Sequence, residues 1–144
     1  MYKERMELYK RENPNVIFPD FQEIPSEECK SLSLEISKKF LNEAFSGLDL
    51  LTQLFKKAVR IENVNAASEC FSLIETLQKQ EITFTETGYI DWYRLDRTTK
   101  MRIQDISSCF EYLYFPSADD IQIFDSSISW LMFIEHDGEV YILR

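Results

Sequence analysis

The chain contains one histidine, three glycines and three cysteines, and each shortage removes a class of function. A lone imidazole excludes multi-histidine zinc sites and leaves His136, beside an Asp-Gly pair, as the single candidate histidine base. Gly47, Gly88 and Gly138 are too scattered to build a phosphate cradle, and no P-loop, dinucleotide fingerprint or G-x-S-x-G elbow is present. Cys29, Cys70 and Cys109 are odd in number and lack a C-x-x-C pair, which argues against a disulfide framework. Each falls within an apolar periodicity, so all three are expected as buried small hydrophobes. A basic surplus is also missing. The 16 Lys and Arg are outnumbered by 25 Asp and Glu, and the resulting net charge of −9 excludes a phosphate-backbone binder. No apolar run approaches the ~18 residues of a spanning helix, and "MYKERMELYKRENP" has no apolar core of a secretory signal. The expectation is a cytoplasmic protein without nucleic-acid or membrane partners, cofactor or resident metal.

A length of 144 residues suits one domain with one core. Residues 1–25 are expected as an N-terminal segment, a short polar helix followed by an extended arm set by Pro14, Pro19 and Pro25. Residues 26–144 are expected as a single α+β domain. Cys29, Leu32, Ile36, Phe40 and Ala44 recur at helical spacing behind "SEE", an N-cap followed by acids. Further stripes run Leu51, Leu54, Phe55, Ala58; then Val64, Ala67, Phe71, Ile74, Leu77, with Asn63 as a cap; and Ile103, Ile106, Phe110, Leu113. About four helices, mostly early, should therefore pack on a small, mainly antiparallel C-terminal sheet.

Strand character gathers in the second half. "ITFTETGYIDWYRL" is rich in β-branched and aromatic residues and would fold back at Thr87-Gly88. "SWLMFIEHDGEVYILR" holds two β-prone runs around Asp137-Gly138, which as a two-residue type I′ loop pairs Ile134 with Tyr141 and Met132 with Leu143. That register puts Trp130, Met132, Ile134, Tyr141 and Leu143 on one face. The hairpin is apolar on both faces and so needs cover on both sides.

Carboxylates and aromatics carry what chemistry remains. In "YFPSADDIQIFD" (114–125) the acids Asp119, Asp120 and Asp125, converging with Glu135, Asp137 or Glu139, would suit a hard cation. Adjacent strand residues point to opposite faces, however, so Asp119 and Asp120 do not chelate together naturally. Turn chemistry accounts for more of the pattern: Pro116 starts a turn, Ser117 caps it, and Asp120 completes a capping box before a strand. Trp92, Tyr93 and Tyr114, with Asp119, Asp120 and Asp125, would form an acidic, aromatic docking face, because Tyr and Trp bury large area at small entropic cost.

Tyr114, Pro116, Ser117, Asp119, Asp120, Ile121, Ile123, Phe124, Asp125 and Trp130 trace an aromatic, Pro-Ser-x-Asp-Asp-Ile, an apolar residue, Phe-Asp, then a Trp-bearing strand. In this last third to half the chain resembles a family of small acidic bacterial proteins of unknown function, similar in kind to the immunity proteins that accompany bacterial toxins. The resemblance implies a non-enzymatic bacterial protein that binds another protein, such as a basic toxin. Two other readings stand beside it: a metal-assisted hydrolase using Asp119, Asp120 or Asp125, and a structural homo-oligomer, for example a homodimer pairing through the Tyr- and Trp-rich segment.

Overall fold

Alternation of apolar side chains on both faces of the last two strands decides the architecture. The computed structural model describes residues 1–144 and contains six helices and one seven-stranded antiparallel sheet. In chain order these are α1 (Lys3–Glu12), β1 (Phe21–Glu23), α2 (Ser26–Leu41), α3 (Gly47–Lys57), β2 (Val59–Asn65) and α4 (Leu73–Lys79). Then follow β3 (Thr87–Asp91), β4 (Thr98–Arg102), α5 (Ile103–Ser108), α6 (Phe110–Leu113), β5 (Ile121–Asp125), β6 (Leu131–Ile134) and β7 (Glu139–Leu143). The strands lie in the order β1-β4-β3-β5-β6-β7-β2. The class is α+β.

The sheet is the middle of three layers. Ile90, Ile121, Ile123, Met132, Ile134, Val140 and Ile142 pack under Leu73 and Leu77 of α4, Ile103 and Ile106 of α5, and Phe110 and Leu113 of α6. Tyr89, Phe124, Leu131, Phe133 and Leu143 pack on the other side under Cys29 and Ile36 of α2 and Leu50 and Leu54 of α3. Both faces of the hairpin are thus covered. Gly88 makes the first layer possible: a Cβ there would lie 2.9 Å from the Cδ1 atoms of Ile103 and Ile106. The extended arm adds β1 to the sheet edge beside β4 and buries Phe18, while Val16 and Ile17 stay exposed.

Four local expectations are corrected. First, the hairpin loop has three residues. Gly138 N–H donates to Glu135 O (2.8 Å), Glu135 N–H to Glu139 O (3.0 Å), and Gly138 lies at φ +87°, the left-handed position that follows a type I turn. The pairs become Met132↔Ile142 and Ile134↔Val140, so Val140 and Ile142, rather than Tyr141 and Leu143, share the face of Trp130. A one-residue slip exchanges the faces of one whole strand. Second, the stripe from Val64 to Leu77 is not one helix. Residues 59–65 form the edge strand β2, where Asn63 at φ 60° accompanies a register shift against β7. The bulge erases the period of two from the sequence. Helix α4 begins only after Ser72, whose hydroxyl accepts from Glu75 N–H (3.3 Å). Third, Thr87-Gly88 opens β3 and the chain reverses at 92–97, between the paired Asp91 and Thr98. Fourth, Cys70 is exposed, whereas Cys29 and Cys109 are buried. Burial, and secondarily Asp105, pushes the Cys109 thiol up to about 12, so it remains an unreactive core group.

No helix is long and apolar enough to cross a membrane.

Candidate functional site

Antiparallel registers gather particular loops at one end of the sheet. Asp91 closes β3 opposite Gln122 near the start of β5, Ile121 pairs with Ile134 at the end of β6, and Asn65 at the end of β2 pairs with Glu139 at the start of β7. The segments 92–97, 114–120, 135–138 and 66–72 therefore share one rim.

The six residues singled out in the sequence divide sharply at this rim. Trp92 is buried and its Nε1–H donates to Leu113 O (2.8 Å); Tyr114 is buried with its hydroxyl on Glu135 O (2.6 Å). Burial, then the charge of Asp137, pushes the Tyr114 phenol up to about 12. Asp119 is nearly enclosed and holds Arg5. Asp125 is fully buried at the opposite end of β5, accepting from Thr85 N–H (2.7 Å) and Ser127 N–H (3.0 Å). Only Tyr93, 47% exposed, and Asp120 reach solvent. The acidic, aromatic face expected from the sequence is not assembled from these six, and Asp119, Asp120 and Asp125 do not meet at one centre.

The segment 114–120 explains the split. Ser117 is not a helix cap: it sits at φ 69° and its N–H donates to His136 O (2.6 Å). Asp119, not Asp120, closes the turn, accepting from Phe115 N–H (2.6 Å) while its two oxygens receive Arg5 Nη2 at 2.7 and 2.8 Å. Asp120 instead reaches the hairpin: its Oδ1 accepts from His136 N–H (2.8 Å) and lies 2.9 Å from the ring Nδ1.

Of the carboxylates whose convergence the sequence suggested, the structure brings together those of the hairpin, with Asp120 but without Asp119 or Asp125. One oxygen each of Glu135, Asp137 and Glu139 lie within 4.8 Å of one another across the hairpin loop, with Asp120 alongside through His136. Glu139 is engaged by Arg60 (2.7 Å) and by the Tyr141 hydroxyl (2.7 Å), and that hydrogen bond first, then burial, moves the phenol up to about 12. Glu135 has no hydrogen-bonded or ionic partner for its carboxylate. Partial burial, then repulsion from Asp120 and Asp137, raises its carboxyl above the usual range. Elsewhere on the rim, Arg94 lies over the Tyr93 ring at 4.7 Å on the loop that Asp91 organises.

The hydrogen bond that the His136 ring donates to the Asp120 carboxylate raises the His136 pKa above the ordinary 6.5. The clasp should therefore act fully below pH 6.5 and fade as pH rises through the higher folded value. As the chain has one histidine, its imidazole proton resonances titrate without overlap. A midpoint above that of free histidine is expected, falling toward the ordinary value in Asp120→Asn while Asp137 and Glu135 still hold it up; an identical midpoint in both proteins would remove the clasp.

Comparison with protein-family models, curated proteins and solved structures finds no match to this chain.

Proposed function

We propose that the chain is a non-enzymatic protein-binding protein of the bacterial cytoplasm, an immunity partner that neutralises a basic toxin by docking it on the acidic rim. The observation that carries this reading is the convergence of Asp120, Glu135, Asp137 and Glu139 at one end of the sheet, with His136 and Arg60 as their paired countercharges. Assembling like charges costs free energy unless something cationic relieves it. A net charge of −9 extends the same field over the surface and steers a basic partner to the rim. Exposed Tyr93 offers an amphipathic anchor beside it. A stable complex would bury about 1,200–2,000 Å² in total.

Co-expression with the product of the neighbouring gene tests the reading. Wild-type protein should co-purify with that product and protect cells from it. The double substitution Glu135→Lys/Asp137→Lys should weaken capture by on the order of 100-fold and abolish protection. Glu35→Lys, an exposed acid on α2, should leave both intact. Equal protection by the rim and control variants would remove the rim from function.

A further inference from the structure

The two edges of the sheet are finished differently. At one edge β1 is three residues long and lies between Pro19 and Pro25. Short strands and prolines are how sheets blunt an open edge. At the other edge β2, with seven residues, is the longest strand of the sheet and contains no proline, glycine or lysine. It pairs with β7 on its inner side, and no backbone group of residues 59–64 bonds to any other main-chain segment. Its outward N–H and C=O groups therefore have no strand beside them. Val59 stands 67% exposed on this edge.

The side chains along that edge are self-complementary. Ile61 turns inward toward Leu73 and Leu77 of α4, so Arg60 and Glu62 flank it on the opposite face. A second β2 related by a two-fold axis perpendicular to the sheet runs antiparallel to the first, and like faces stay together only when a residue lies on the axis. With Ile61 there, Arg60 of each copy faces Glu62 of the other. With Arg60 or Glu62 there, that residue faces its own like charge, which is destabilising. Glu62 is exposed and makes no ion pair within the chain. Arg60 reaches Glu139 through Nη2 (2.7 Å), and its guanidinium keeps further N–H groups to donate.

We infer that β2 pairs antiparallel with β2 of a second copy of this chain, Ile61 lying on the two-fold axis, so that one sheet continues across a homodimer. Two Arg60–Glu62 pairs then cross the junction on one face. On the other, Val59 lies diagonal to Ile61 of the second copy, which gives an apolar row and covers the exposed valine. The bulge at Asn63 ends the regular strand just past Glu62 and confines the pairing to residues 59–63. Sliding that short pairing in either direction opposes like charges, so the register is fixed. Residues 59–65 carry one Arg and one Glu, and the junction is neutral even though each chain has a net charge of −9. Because the axis reverses strand direction, the two acidic rims, each at the Asn65 end of its β2, lie at opposite ends of the joined sheet. The inference does not depend on what docks at the rim.

Sedimentation velocity over about a hundredfold range of protein concentration tests this, because self-association follows mass action. Wild-type protein should pass from monomer to dimer across the range. Glu62→Arg and Arg60→Glu each set like charges opposite one another at both symmetry-related positions, and each should weaken the dimer at least about tenfold. An equimolar mixture of those two variants restores both opposite-charge pairs and should dimerise again, as only folded chains can. Val59→Lys, which puts a solvated ammonium on the apolar row, should also weaken the dimer while leaving Arg60 and Glu139 untouched. A wild-type chain that stays monomeric throughout overturns the inference. So does a dimer that Glu62→Arg and Val59→Lys leave unchanged, since it would be joined elsewhere.

Discussion

Asp119→Ala is expected to destabilise the protein by about 3–5 kcal/mol, the usual cost of leaving a buried charge without its counterion. Arg5 and Asp119 are 6% and 11% exposed and lie 114 residues apart in sequence. Nη2 of Arg5 bridges both Asp119 oxygens, Nη1 donates to Leu113 O (2.8 Å), and the guanidinium carbon sits 4.3 Å from the Phe115 ring centroid. The pair pins α1 to the turn that begins β5. Removing the carboxylate strands the cation and also orphans Phe115 N–H, which donates to the same group. For a domain near this size the loss corresponds to a Tm drop on the order of 10–15 °C. Adding Arg5→Met to Asp119→Asn separates charge from shape. Asparagine keeps an acceptor for Phe115 N–H, and Leu113 O retains the Trp92 indole donor. The double variant should therefore be clearly more stable than Asp119→Ala, because replacing both members of a buried pair costs far less than breaking it. Denaturant unfolding of the three proteins decides it; a double variant no better than Asp119→Ala would mean that contacts other than the charge pair hold α1 in place.

Asp91→Ala is expected to cost about 3 kcal/mol, with the damage confined first to the loop 92–97. Its carboxylate, fully buried, accepts Tyr93 N–H (2.8 Å) and Leu95 N–H (2.9 Å) on one oxygen, and Arg97 N–H (2.9 Å) and the Thr98 hydroxyl (2.9 Å) on the other. Burial pushes this carboxyl up, against the pull of those four bonds. The side chain thus replaces the backbone pairing that a six-residue reversal cannot make for itself, and it holds Leu95 at φ 61°. Alanine leaves these donors to find water or remain unpaired, and the buried Leu95 N–H is the worst placed. Asparagine, which retains one acceptor, should lose about half as much. Hydrogen exchange should report faster exchange at Tyr93, Leu95 and Arg97 in Asp91→Ala while the amides of β6 and β7 stay protected. Uniform acceleration across the sheet would show that the loop is not an independent unit.

Much of the framework was legible from periodicity. The stripes Cys29–Ala44, Leu51–Ala58 and Ile103–Leu113 mark helices because their apolar residues meet one face of the sheet, although the first two overrun the helix ends at Leu41 and Lys57 and the last is divided at Cys109 into α5 and α6. Two-sided hydrophobicity of the final hairpin correctly required two covering layers. Its register did not follow, since Asp-Gly serves equally a two-residue type I′ loop and the end of a three-residue loop. Edge strand β2 was hidden by its bulge and by having only Ile61 buried along its length. Tyr and Trp suit both cores and interfaces, so composition could not separate buried Trp92 and Tyr114 from exposed Tyr93. The roles of Arg5 and Asp91 depend on partners assembled by the fold: one pairing spans the chain, the other lies within an irregular loop. A convergence of Asp119, Asp120 and Asp125 with the hairpin acids was open from the sequence, yet only the antiparallel registers show that Asp120 alone of the three reaches the hairpin that carries Glu135, Asp137 and Glu139.

Two populations of acids emerge from this arrangement. Asp91, Asp119 and Asp125 are enclosed and satisfied, and hold the loops in place. Asp120, Glu135, Asp137 and Glu139 stand crowded at the rim and, in the proposed reading, act outward as a field. Stopped-flow association with the neighbouring gene's product, measured against ionic strength for wild-type protein and for Glu135→Gln/Asp137→Asn, tests that division most directly. For wild type the association rate should fall at least about tenfold from low salt to 0.5 M, with a much flatter dependence in the neutralised variant. Identical salt dependence in the two proteins would contradict it.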